Sequence, residues 1–517
     1  MCVDSQAGLT IERTGTDDPV HKPFYRVMFD VSGWQVVPFE GTLDTLLHAT
    51  MERGLYVKGQ DGQFTARPEA SAQASFDPFL TRYRSIASPA VKLTTGEFLA
   101  SRPSRLRKIY ELATKRNAVE EFDLFRESQV KGFVKVEKTR QASTDCAGNT
   151  SKTPVPRLIN PRSVRFNAHL GRYTVAVEHT VYDNIGTMFG KQCITKGLTF
   201  DQKAALLREM WEEMDDPVFM GGDASRFDQH TGLHALGLEH DVLRAHFPRD
   251  SWLNTLLRQQ LNNRMRGFTK NGKCRVNLGA MRMSGDMNTS LGNCIISSAL
   301  VWQRLQELGI RAYCVVDGDD SGVIMERRDI ERYRSGAEAW FLNHGYTMIL
   351  EEPVFVFEHI EFCQTKPVWV GDRWTMVRAY DKCINSDFAG HQKCRDEAYW
   401  LGLLHGISSC GLSLASGVPV LQAFYQWGLR HGVHAGRGRH TELALNGWLM
   451  TAMGGPKRGA RAITSDARLS FERAFGLAPA DQVRLENKFH HCGYKRGVVQ
   501  ALGINQELYA NHANQLL

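Results

Sequence analysis

Three aspartates lie within four positions of the segment CVVDGDDSGVIM, residues 314–325, with a short apolar run on each side. Asp317, Asp319 and Asp320 repel one another when they are ionised. An Asp-Gly pair between apolar runs predicts a β-hairpin, and an ordinary solvated turn explains this segment equally well, because Asp and Gly favour turns for conformational reasons. The alternative is that a strongly positive group lies among the carboxylates.

A second acidic segment favours that alternative. In GGDASRFDQH, residues 221–230, Asp223 ends an apolar run and Asp228 follows five residues later. Oxygen ligands suit hard divalent ions such as Mg²⁺, which also keep water and substrate phosphates in their coordination shell. Two such ions about 3.5–4 Å apart stabilise the attacking and the leaving oxygen of an in-line phosphoryl displacement. The strand-end acids are therefore predicted to converge around divalent cations.

The segment SGDMNTSLGN, residues 284–293, adds aligned polar side chains. Ser284 begins a glycine-containing loop, and a long helix follows it. Asp286, Thr289 and Asn293 are spaced i, i+3 and i+7, which predicts that they share one face of that helix. Polar side chains aligned in this way are candidates for contacts with a sugar hydroxyl.

A basic segment lies upstream, in KVEKTRQASTDCAGNTSKTPVPRLINPR, residues 135–162. Cations suit a triphosphate, and the planar guanidinium of Arg presents paired donors to phosphate oxygens. The candidates for phosphate binding are Lys135, Lys138, Lys152, Arg157 and Arg162.

Short buried strands must position the acidic residues. The apolar run VFM predicts a strand that ends near Asp223, and AYCVV and GVIM predict the two strands of the hairpin. A helix is predicted near 201–214, and the helix after Ser284 directs Leu291 and Ile295 toward the core. Strands and helices alternate without a regular βαβ period, which favours an α+β fold.

The remaining sequence is assigned more coarsely. The first 80 residues mix short β-like runs with a helix in TLDTLLHATMERGLY, residues 80–130 are basic and mostly helical, and 131–172 form strands and loops. A helix near 330–344 is followed by further β-like pieces to about 380, and the chain after that is largely helical.

Residues 398–429 contain no Asp, Glu, Lys or Arg, and a segment of this length is sufficient to span a bilayer. However, SSCGLSLASGVP in its middle is polar and Gly-rich, and Pro419 breaks a helix. Two buried helices joined by a loop are therefore favoured over one membrane-spanning segment.

The composition is that of a folded protein with two or three subdomains. The chain has 517 residues, 42% of them hydrophobic, and its net charge of +7 permits a polyanionic partner without requiring one. The eleven cysteines are scattered without a C-x-x-C pair, which indicates reduced thiols and argues against a disulfide framework or zinc site. The N-terminal segment MCVDSQAGLTIERTG lacks the pattern of a signal peptide.

The ordered motifs Asp-x4-Asp, Ser-Gly-x3-Thr-x3-Asn and Gly-Asp-Asp resemble those of the RNA-dependent RNA polymerases of positive-strand RNA viruses. DASRFDQH, EFCQTKP and PRLINPRSVRFNAHLGRYT are similar in particular to the tombusvirus family and its relatives. The resemblance covers at least residues 85–430 and implies a right-hand fold of fingers, palm and thumb with an antiparallel palm sheet. The implied divisions are 1–200 for the N-terminal region and fingers, 201–380 for the palm with an inserted fingers segment, and 381–517 for the thumb, with 398–429 in its core.

The resemblance implies template-directed RNA synthesis from NTPs, in which a 3′-hydroxyl attacks the α-phosphate and pyrophosphate leaves. Asp223 and Asp319 would be the principal ligands of Mg²⁺ or Mn²⁺, with Asp320 beside them. The residues that would sense the ribose 2′-hydroxyl are Asp228, Ser284, Thr289 and Asn293. This agrees with the residue chemistry, because a hydroxyl both donates and accepts hydrogen bonds and needs mixed partners.

Two further groups follow from the same resemblance. Lys135, Lys152 and Arg157 match the family's cations that grip the incoming triphosphate. Cys363, Gln364 and Lys366, in FCQTK, match the strand pair that supports the priming end of the nascent strand.

The chain also departs from the family pattern. Many viral polymerases carry a lysine after the Gly-Asp-Asp hairpin, thought to protonate the leaving pyrophosphate, and no lysine occurs here between Gly322 and Lys366. Ile349 stands where close relatives are expected to carry a basic residue. The substitutes considered are His344, Arg332, Arg334 or water, and the role stays unassigned.

Relatives often begin with a long membrane-anchoring region, and this chain is expected to lack an intrinsic transmembrane segment. Its partners are then the RNA template, the nascent RNA and NTPs, together with another viral replication protein or a host membrane factor. The expected location is the host cytoplasm, at membrane-associated replication sites reached through those partners.

Other function classes explain less of the sequence. A reverse transcriptase would carry bulk near the 2′ position where this chain has Asp228 and Asn293. A nuclease needs no triphosphate-binding cations, and a purely RNA-binding replication factor needs none of the acids.

Several segments keep two interpretations. SRPSRLRKIY suits template phosphates or a solvated helix face, and LRHGVHAGRGRH and GGPKRGARA suit exiting duplex or surface loops. FHHCGY lacks a second ligand pair for zinc, and Asp317 is interpreted as a turn residue without a metal-ligand role.

Overall fold

The computed structural model describes residues 8–14, 24–27, 36–37, 39–59, 62–140, 154–390, 396–434, 455–493 and 496–499. Lys152 and the second half of LRHGVHAGRGRH, residues 435–440, lie outside the described residues.

Short strands occur throughout the described chain. They are β1 Thr10–Arg13, β2 Phe24–Val27, β3 Val36–Val37, β4 Tyr56–Lys58, β5 Phe64–Ala66, β6 Val130–Val134, β7 Thr139–Arg140, β8 Leu158–Ile159, β9 Pro217–Ala224, β10 Asn263–Thr269, β11 Gly272–Gly279, β12 Ala312–Asp317, β13 Asp320–Glu326, β14 Met348–Leu350, β15 Thr365–Trp369, β16 Trp374–Arg378, β17 Ala389–Gly390 and β18 Arg496–Val499.

Helices separate these strands. They are α1 Leu43–Thr50, α2 Asp77–Arg84, α3 Thr95–Ala100, α4 Ser104–Val119, α5 Leu124–Glu127, α6 Val164–Phe189, α7 Phe200–Glu212, α8 Phe227–His230, α9 Leu233–His246, α10 Ser251–Arg258, α11 Thr289–Leu308, α12 Ile330–Arg334, α13 Ala337–Asn343, α14 Tyr380–Ser386, α15 Glu397–Ala415, α16 Leu421–His431, α17 Ser465–Phe475 and α18 Pro479–His491. Short 3₁₀ turns lie at Gln259–Leu261, Arg327–Asp329 and Phe357–His359, and a π turn at Met51–Leu55 follows α1.

The acidic residues lie on a four-stranded sheet in the order β12-β13-β9-β14, and all of its neighbouring strands are antiparallel. Both faces of this sheet are buried. Val218, Met220 and Val323 contribute to one apolar cluster, whereas Phe219 and Ile324 contribute to another on the opposite face. This alternation follows from the two-residue period of a strand, and it explains the nearly continuous apolar runs that precede and flank the acidic turns.

Helices α11 and α7 cover opposite faces of this sheet. The first cluster contains Leu291, Ile295 and Leu305 of α11, at the helical spacing predicted from the sequence. The second contains Leu207 and Trp211 of α7. Helix α7 begins with a capping box, in which the Thr199 hydroxyl accepts from the Gln202 amide and Gln202 accepts from the Thr199 amide.

The other sheets connect distant parts of the chain. A five-stranded sheet has the order β1-β11-β10-β6-β8, and β6 and β10 are its parallel neighbours. Strand β2 pairs with both β17 and β18, so an N-terminal strand lies between two strands from beyond residue 388. These pairings tie together segments that the sequence-based divisions separate.

The mixture of helices and interleaved sheets confirms the predicted α+β class. The strand before Asp223, the hairpin, the helix near 201–214 and the two buried helices around 398–429 are all present. In the last case the predicted central loop is wrong in extent, because α15 continues to Ala415 and the connection to α16 is short.

Two further predictions require correction. Residues 131–172 are not only strands and loops, because α6 begins at Val164; its stripe of Phe166, Leu170, Tyr173 and Val177 is buried. The helix near 330–344 is divided into α12 and α13, with Gly336 in the left-handed region between them.

Candidate active site

Two strand ends bring the predicted acidic residues together. Asp223 is the second-last residue of β9, and Asp320 is the first residue of β13. Gly222 pairs with Ser321, so the antiparallel register carried one residue further sets Asp223 opposite Asp320. Directly opposite residues have Cβ atoms about 4.5–5.5 Å apart. Asp319 occupies the adjoining turn.

The hairpin turn consists of Gly318 and Asp319, because Asp317 pairs with Asp320. Gly318 has φ +82°, the positive value that a type II′ turn requires at its first position and that glycine adopts without strain. Helix α11 holds this turn, since the Gly318 amide donates to Cys294 Sγ at 3.3 Å and the Ser297 hydroxyl donates to the Gly318 carbonyl at 2.8 Å.

The carboxylates interact through their charges. Burial raises the pKa of Asp320 to about 6, and the charges of Asp319, Asp317 and Asp223 add to this effect. Burial also raises the pKa of Glu351, again with a contribution from Asp223 and Asp320. These carboxylates therefore lie close enough for their charges to repel one another.

Within the described residues, Asp223, Asp319 and Asp320 form no ion pair. Their uncompensated charge fits a divalent cation. The described residues contain no closed set of three or more His, Cys, Asp or Glu in liganding geometry. Mg²⁺ commonly takes only one or two protein carboxylates and completes its shell with water and substrate phosphate, so the two observations are compatible.

Asp317 differs from its neighbours because it has its own cations. Its carboxylate pairs with the ammonium groups of Lys196 and Lys203 and accepts from the Thr195 hydroxyl at 3.2 Å. Burial alone would raise the pKa of Asp317, but the two lysines lower it. Asp317 was predicted to be a turn residue without a metal-ligand role, and in the structure it is the last residue of strand β12, directly before the turn.

Asp228 and Asn293, two of the four residues predicted to sense the ribose, are in contact. The Asn293 amide donates to Asp228 Oδ1 at 3.1 Å, and Arg282 Nε donates to Asn293 Oδ1 at 2.9 Å. Burial raises the pKa of Asp228, and Asn293 and Arg282 oppose that rise.

Ser284 lies in the loop before α11 and Thr289 is the first residue of that helix, and each has partners of its own. The Ser284 hydroxyl donates to Asn160 Oδ1 at 2.8 Å, and the Thr289 hydroxyl donates to the Met283 carbonyl at 2.8 Å. Asp286 does not share a helix face with Thr289 and Asn293, because α11 begins only at Thr289.

Two of the predicted triphosphate cations lie next to each other on the surface. Lys135 and Arg157 both approach Glu137, at 3.1 and 3.5 Å, and their side chains are 41% and 56% exposed. The Lys135 amide also donates to the Arg157 carbonyl at 2.8 Å, which joins the two segments.

The other described cations are placed differently. The prediction that Arg162 binds the triphosphate is wrong. Its guanidinium is fully buried, pairs with Asp286 and donates to the Gln259 carbonyl at 3.0 Å. Lys138 donates to the Ser386 carbonyl and, at 3.1 Å, to the Asp387 carbonyl at the end of α14, a placement that does not favour the predicted phosphate contact.

The FCQTK segment forms a tight turn beside the acidic site. Cys363 and Gln364 have φ values of +52° and +59°, and Phe362 and Thr365 exchange backbone hydrogen bonds across them. Two positive φ values at the centre define a type I′ turn. The nearby Cys363 thiol opposes the rise in the pKa of Asp320.

Lys366 lies beyond this turn, on the wall of a cavity of about 660 Å³ between the turn and helices α14 and α17. The lining residues are His359, Glu361, Gln364, Lys366, Ala379, Tyr380, Asp381, Arg473, Ala474, Phe475 and Gly476. The structure therefore brings Cys363 to the carboxylates and directs Gln364 and Lys366 toward this cavity.

Known proteins match nearly the whole chain. Residues 12–496 match the family model described as viral RNA dependent RNA polymerase. This chain belongs to that family. The RNA-directed RNA polymerase of Tobacco necrosis virus (strain A) is 36% identical over 453 residues, covering 86% of this chain and 60% of the relative. That of Carnation mottle virus is 34% identical over 451 residues, covering 86% and 57%.

A third relative shows the same pattern over a shorter alignment. The RNA-directed RNA polymerase of Tomato bushy stunt virus (strain Cherry) is 36% identical over 365 residues, covering 70% of this chain and 43% of the relative. The matched part of the chain thus spans between 43% and 60% of these relatives' lengths. Among the helices that the structure describes, none is sufficiently long and apolar to cross a bilayer.

The residues considered as substitutes for the missing lysine of the viral polymerase family do not face the carboxylates. His344 is buried and bonded to the Trp340 carbonyl at 3.0 Å. Arg332 donates to Asp329 at 2.8 Å, and Arg334 donates to Glu352. Ile349 pairs with Asp223 across the sheet and is 57% exposed.

Sequence reasoning missed the two lysines that do reach this turn. The Lys196 ammonium lies 3.5 Å from the position that a Cβ on Gly318 would occupy, and Lys203 reaches Asp317 from helix α7. Neither residue belongs to a recognisable spacing pattern, because both are more than 100 positions from the hairpin in sequence.

Proposed function

We propose that this chain synthesises RNA from NTPs under the direction of an RNA template, and so replicates a viral RNA genome by two-metal-ion nucleotidyl transfer. The observation that carries this proposal is that Asp223 lies beside Asp319 and Asp320 of the hairpin. Within the described chain, none of these three residues forms an ion pair. Membership of the viral polymerase family supports the same reaction.

Asp223 and Asp319 are the proposed principal ligands of Mg²⁺, with Asp320 beside them, and Mn²⁺ is an alternative ion. When bound, two such ions would stabilise the attacking and leaving oxygens of the displacement. The protein's own contribution is to hold the carboxylates on adjacent strand ends that are braced by helix α11. Catalysis would then consist mainly of positioning and charge stabilisation.

The surrounding residues have proposed roles in substrate binding. Asp228 and Asn293 would contact the ribose 2′-hydroxyl, and Ser284 and Thr289 would hold the loop that presents it. The proposed triphosphate contacts are Lys135, Lys152 and Arg157. The proposed support for the priming end is Cys363, Gln364 and Lys366.

We also propose that the chain is a right hand. The sheet β12-β13-β9-β14 would be the palm, within 201–380, and 1–200 would supply the N-terminal region and fingers. The helices of 381–517 would form the thumb, with the buried core of α15 and α16 at its centre. The pairing of β2 with β18 indicates that the first and last regions are joined rather than independent.

The proposed partners are template RNA, nascent RNA and NTPs, with another viral replication protein or a host membrane factor. Through such a partner the chain would act at membrane-associated sites in the host cytoplasm.

A template-dependent synthesis assay tests the activity. Purified protein is given an RNA template, NTPs or dNTPs, and Mg²⁺ or Mn²⁺, and labelled product is measured. We expect product with NTPs only, and we expect Asp319→Ala to reduce it at least about 1,000-fold because a metal ligand is lost from an exposed turn.

The control variant is Asp216→Ala, which removes an exposed aspartate just before the opposite end of β9. It is expected to retain activity. Normal incorporation by Asp319→Ala, product from dNTPs alone, or cleavage without synthesis would each defeat the proposal.

A further inference from the structure

Arg282 and Glu239 form an ion pair inside the protein, close to the proposed sugar-binding residues. Their side chains are 1% and 0% exposed. Taking two charges out of water is costly, and a well-packed apolar pair of similar volume is often as stable as a buried ion pair. Stability alone therefore does not explain this ion pair, and its hydrogen bonds indicate a second role.

Arg282 fixes the orientation of the Asn293 amide. An asparagine presents an oxygen that accepts and a nitrogen that donates. Because Arg282 Nε donates to Asn293 Oδ1 at 2.9 Å, the amide nitrogen must face the other way, where it donates to Asp228 Oδ1 at 3.1 Å. A flipped amide would set two donors against each other at Arg282 and two acceptors against each other at Asp228.

Glu239 holds Arg282 in the position that this orientation requires. The carboxylate of Glu239 accepts from Arg282 through one oxygen and from the Asn288 amide through the other. Asn288 immediately precedes α11 and accepts from Gln260 at 2.8 Å, so Glu239 also fixes the start of the helix that carries Asn293. In addition, the Arg282 backbone amide donates to the Asp228 carbonyl at 3.2 Å.

We propose that Arg282, held by Glu239, is the positioning residue that makes the Asp228–Asn293 pair selective for ribose over deoxyribose. The inference rests on the proposed function. With the amide fixed, one N–H of Asn293 is directed away from Arg282 and can donate to a 2′-hydroxyl oxygen. Of the two carboxylate oxygens of Asp228, only Oδ1 accepts a hydrogen bond from a side chain within the described chain. The other oxygen, Oδ2, can therefore accept the hydrogen of the 2′-hydroxyl. A deoxyribose would leave both groups unpaired.

The variant Arg282→Lys separates orientation from charge. A lysine keeps a cation opposite Glu239 but lacks the planar fork that also reaches Asn293. We expect the ratio of kcat/KM for an NTP to kcat/KM for the matching dNTP to fall about tenfold, because the amide is no longer held in one orientation. If Arg282 had only a structural role, kcat/KM would fall by the same factor for the NTP and the dNTP, and their ratio would stay unchanged.

Arg165 of helix α6 offers a matched control. Arg165 Nε donates to Asn117 Oδ1 at 2.6 Å and its guanidinium pairs with buried Glu127, which is the same arrangement away from the proposed site. Arg165→Lys is expected to leave the sugar ratio at its original value. A similar fall in both variants would overturn the inference.

A second pair of variants repeats the test with a neutral isostere. Glu239→Gln removes the charge that holds Arg282, and Glu127→Gln is its control. An unchanged ratio in Arg282→Lys and Glu239→Gln would overturn the inference, and so would a loss of folding in both while the controls fold. Absence of any NTP incorporation by the original protein would instead defeat the proposed function.

Discussion

The carboxylate of Asp320 is held beside three other carboxylates at the end of strand β13. Solvent reaches part of this side chain, yet the surrounding protein and the charges of Asp319, Asp317 and Asp223 raise its pKa to about 6. An acid whose pKa is raised in the folded state destabilises the fold at pH values where it is ionised. Asp320 thus reduces stability in the absence of a cation.

This loss of stability predicts the effect of Asp320→Asn. Near neutral pH and without divalent ions, we expect the variant's free energy of unfolding to be higher by about 1 kcal/mol, after allowance for solvent screening. The gain should shrink as the pH falls through the folded pKa of about 6 toward the ordinary pKa of an aspartate, because the original side chain then becomes neutral in the fold.

Chemical denaturation across this pH range measures the difference. Mg²⁺ should stabilise the original protein more than the variant, since binding to the folded state adds to stability by mass action. A variant that is less stable at neutral pH, or that gains as much from Mg²⁺ as the original protein, would contradict this account of Asp320.

At the scale of elements, the hairpin is fixed from two sides. Helix α11 holds Gly318 through Cys294 and Ser297. Asp317 is held by Lys196, which precedes α7, and by Lys203, which lies within α7. Asp317 is therefore compensated by protein cations, whereas Asp319 and Asp320 have no such partner within the part of the chain that the structure describes. This difference explains how three acids in one hairpin can have different roles.

The clamp on Asp317 predicts the effect of Lys203→Met. The variant should lose about 1–3 kcal/mol of stability, because one cation is removed from a partly buried carboxylate while Lys196 remains. The pKa of Asp317 is lowered in the fold, so its contribution is present above the ordinary pKa of an aspartate and disappears as the pH falls through the lowered value. The loss should therefore be greatest at neutral pH.

A double-mutant cycle with Asp317→Asn provides the control. Once the carboxylate is removed, Lys203→Met should cost less than it does alone, since no unpaired charge is left behind. Equal costs with and without the carboxylate, measured by denaturant unfolding, would show that Lys203 contributes through packing and not through this pair.

Elements with a strong local pattern could be predicted from the sequence, and others could not. The strand before Asp223 and the hairpin were predictable because both are apolar runs bounded by turn residues. Helix α6 is absent from the predicted elements, because its buried stripe begins directly after a segment rich in Lys, Arg and Pro. Asp286 was assigned to a helix face by spacing alone, although α11 starts three residues later.

The same distinction applies to the candidate site. Residue type identified Arg162 as a cation but not its partner, and Asp286 lies 124 positions away in the chain. Lys196 and Lys203 gave no local signal because their roles depend entirely on long-range pairing with Asp317. By contrast, the family motifs place Asp228 and Asn293 in one group of four residues, and these two side chains are in contact in the structure.

At the scale of the whole molecule, the candidate site depends on segments that are far apart in sequence. Strand β9 lies about 100 residues before the hairpin, and the Cys363–Gln364 turn about 40 residues after it, yet all three meet at Asp320. The sheet that joins β2 to β17 and β18 connects the two ends of the described chain. We therefore propose that carboxylates from separate segments converge and share divalent cations.

Anomalous diffraction from crystals grown with Mn²⁺, template RNA and an NTP tests this convergence most directly. We predict a Mn²⁺ peak within coordination distance of Asp223 and of at least one of Asp319 and Asp320, about 2.0–2.3 Å from their oxygens. In Asp223→Ala crystals that peak should weaken or vanish. Mn²⁺ bound elsewhere, with Asp223 contacting no ion that the hairpin also contacts, would contradict the account.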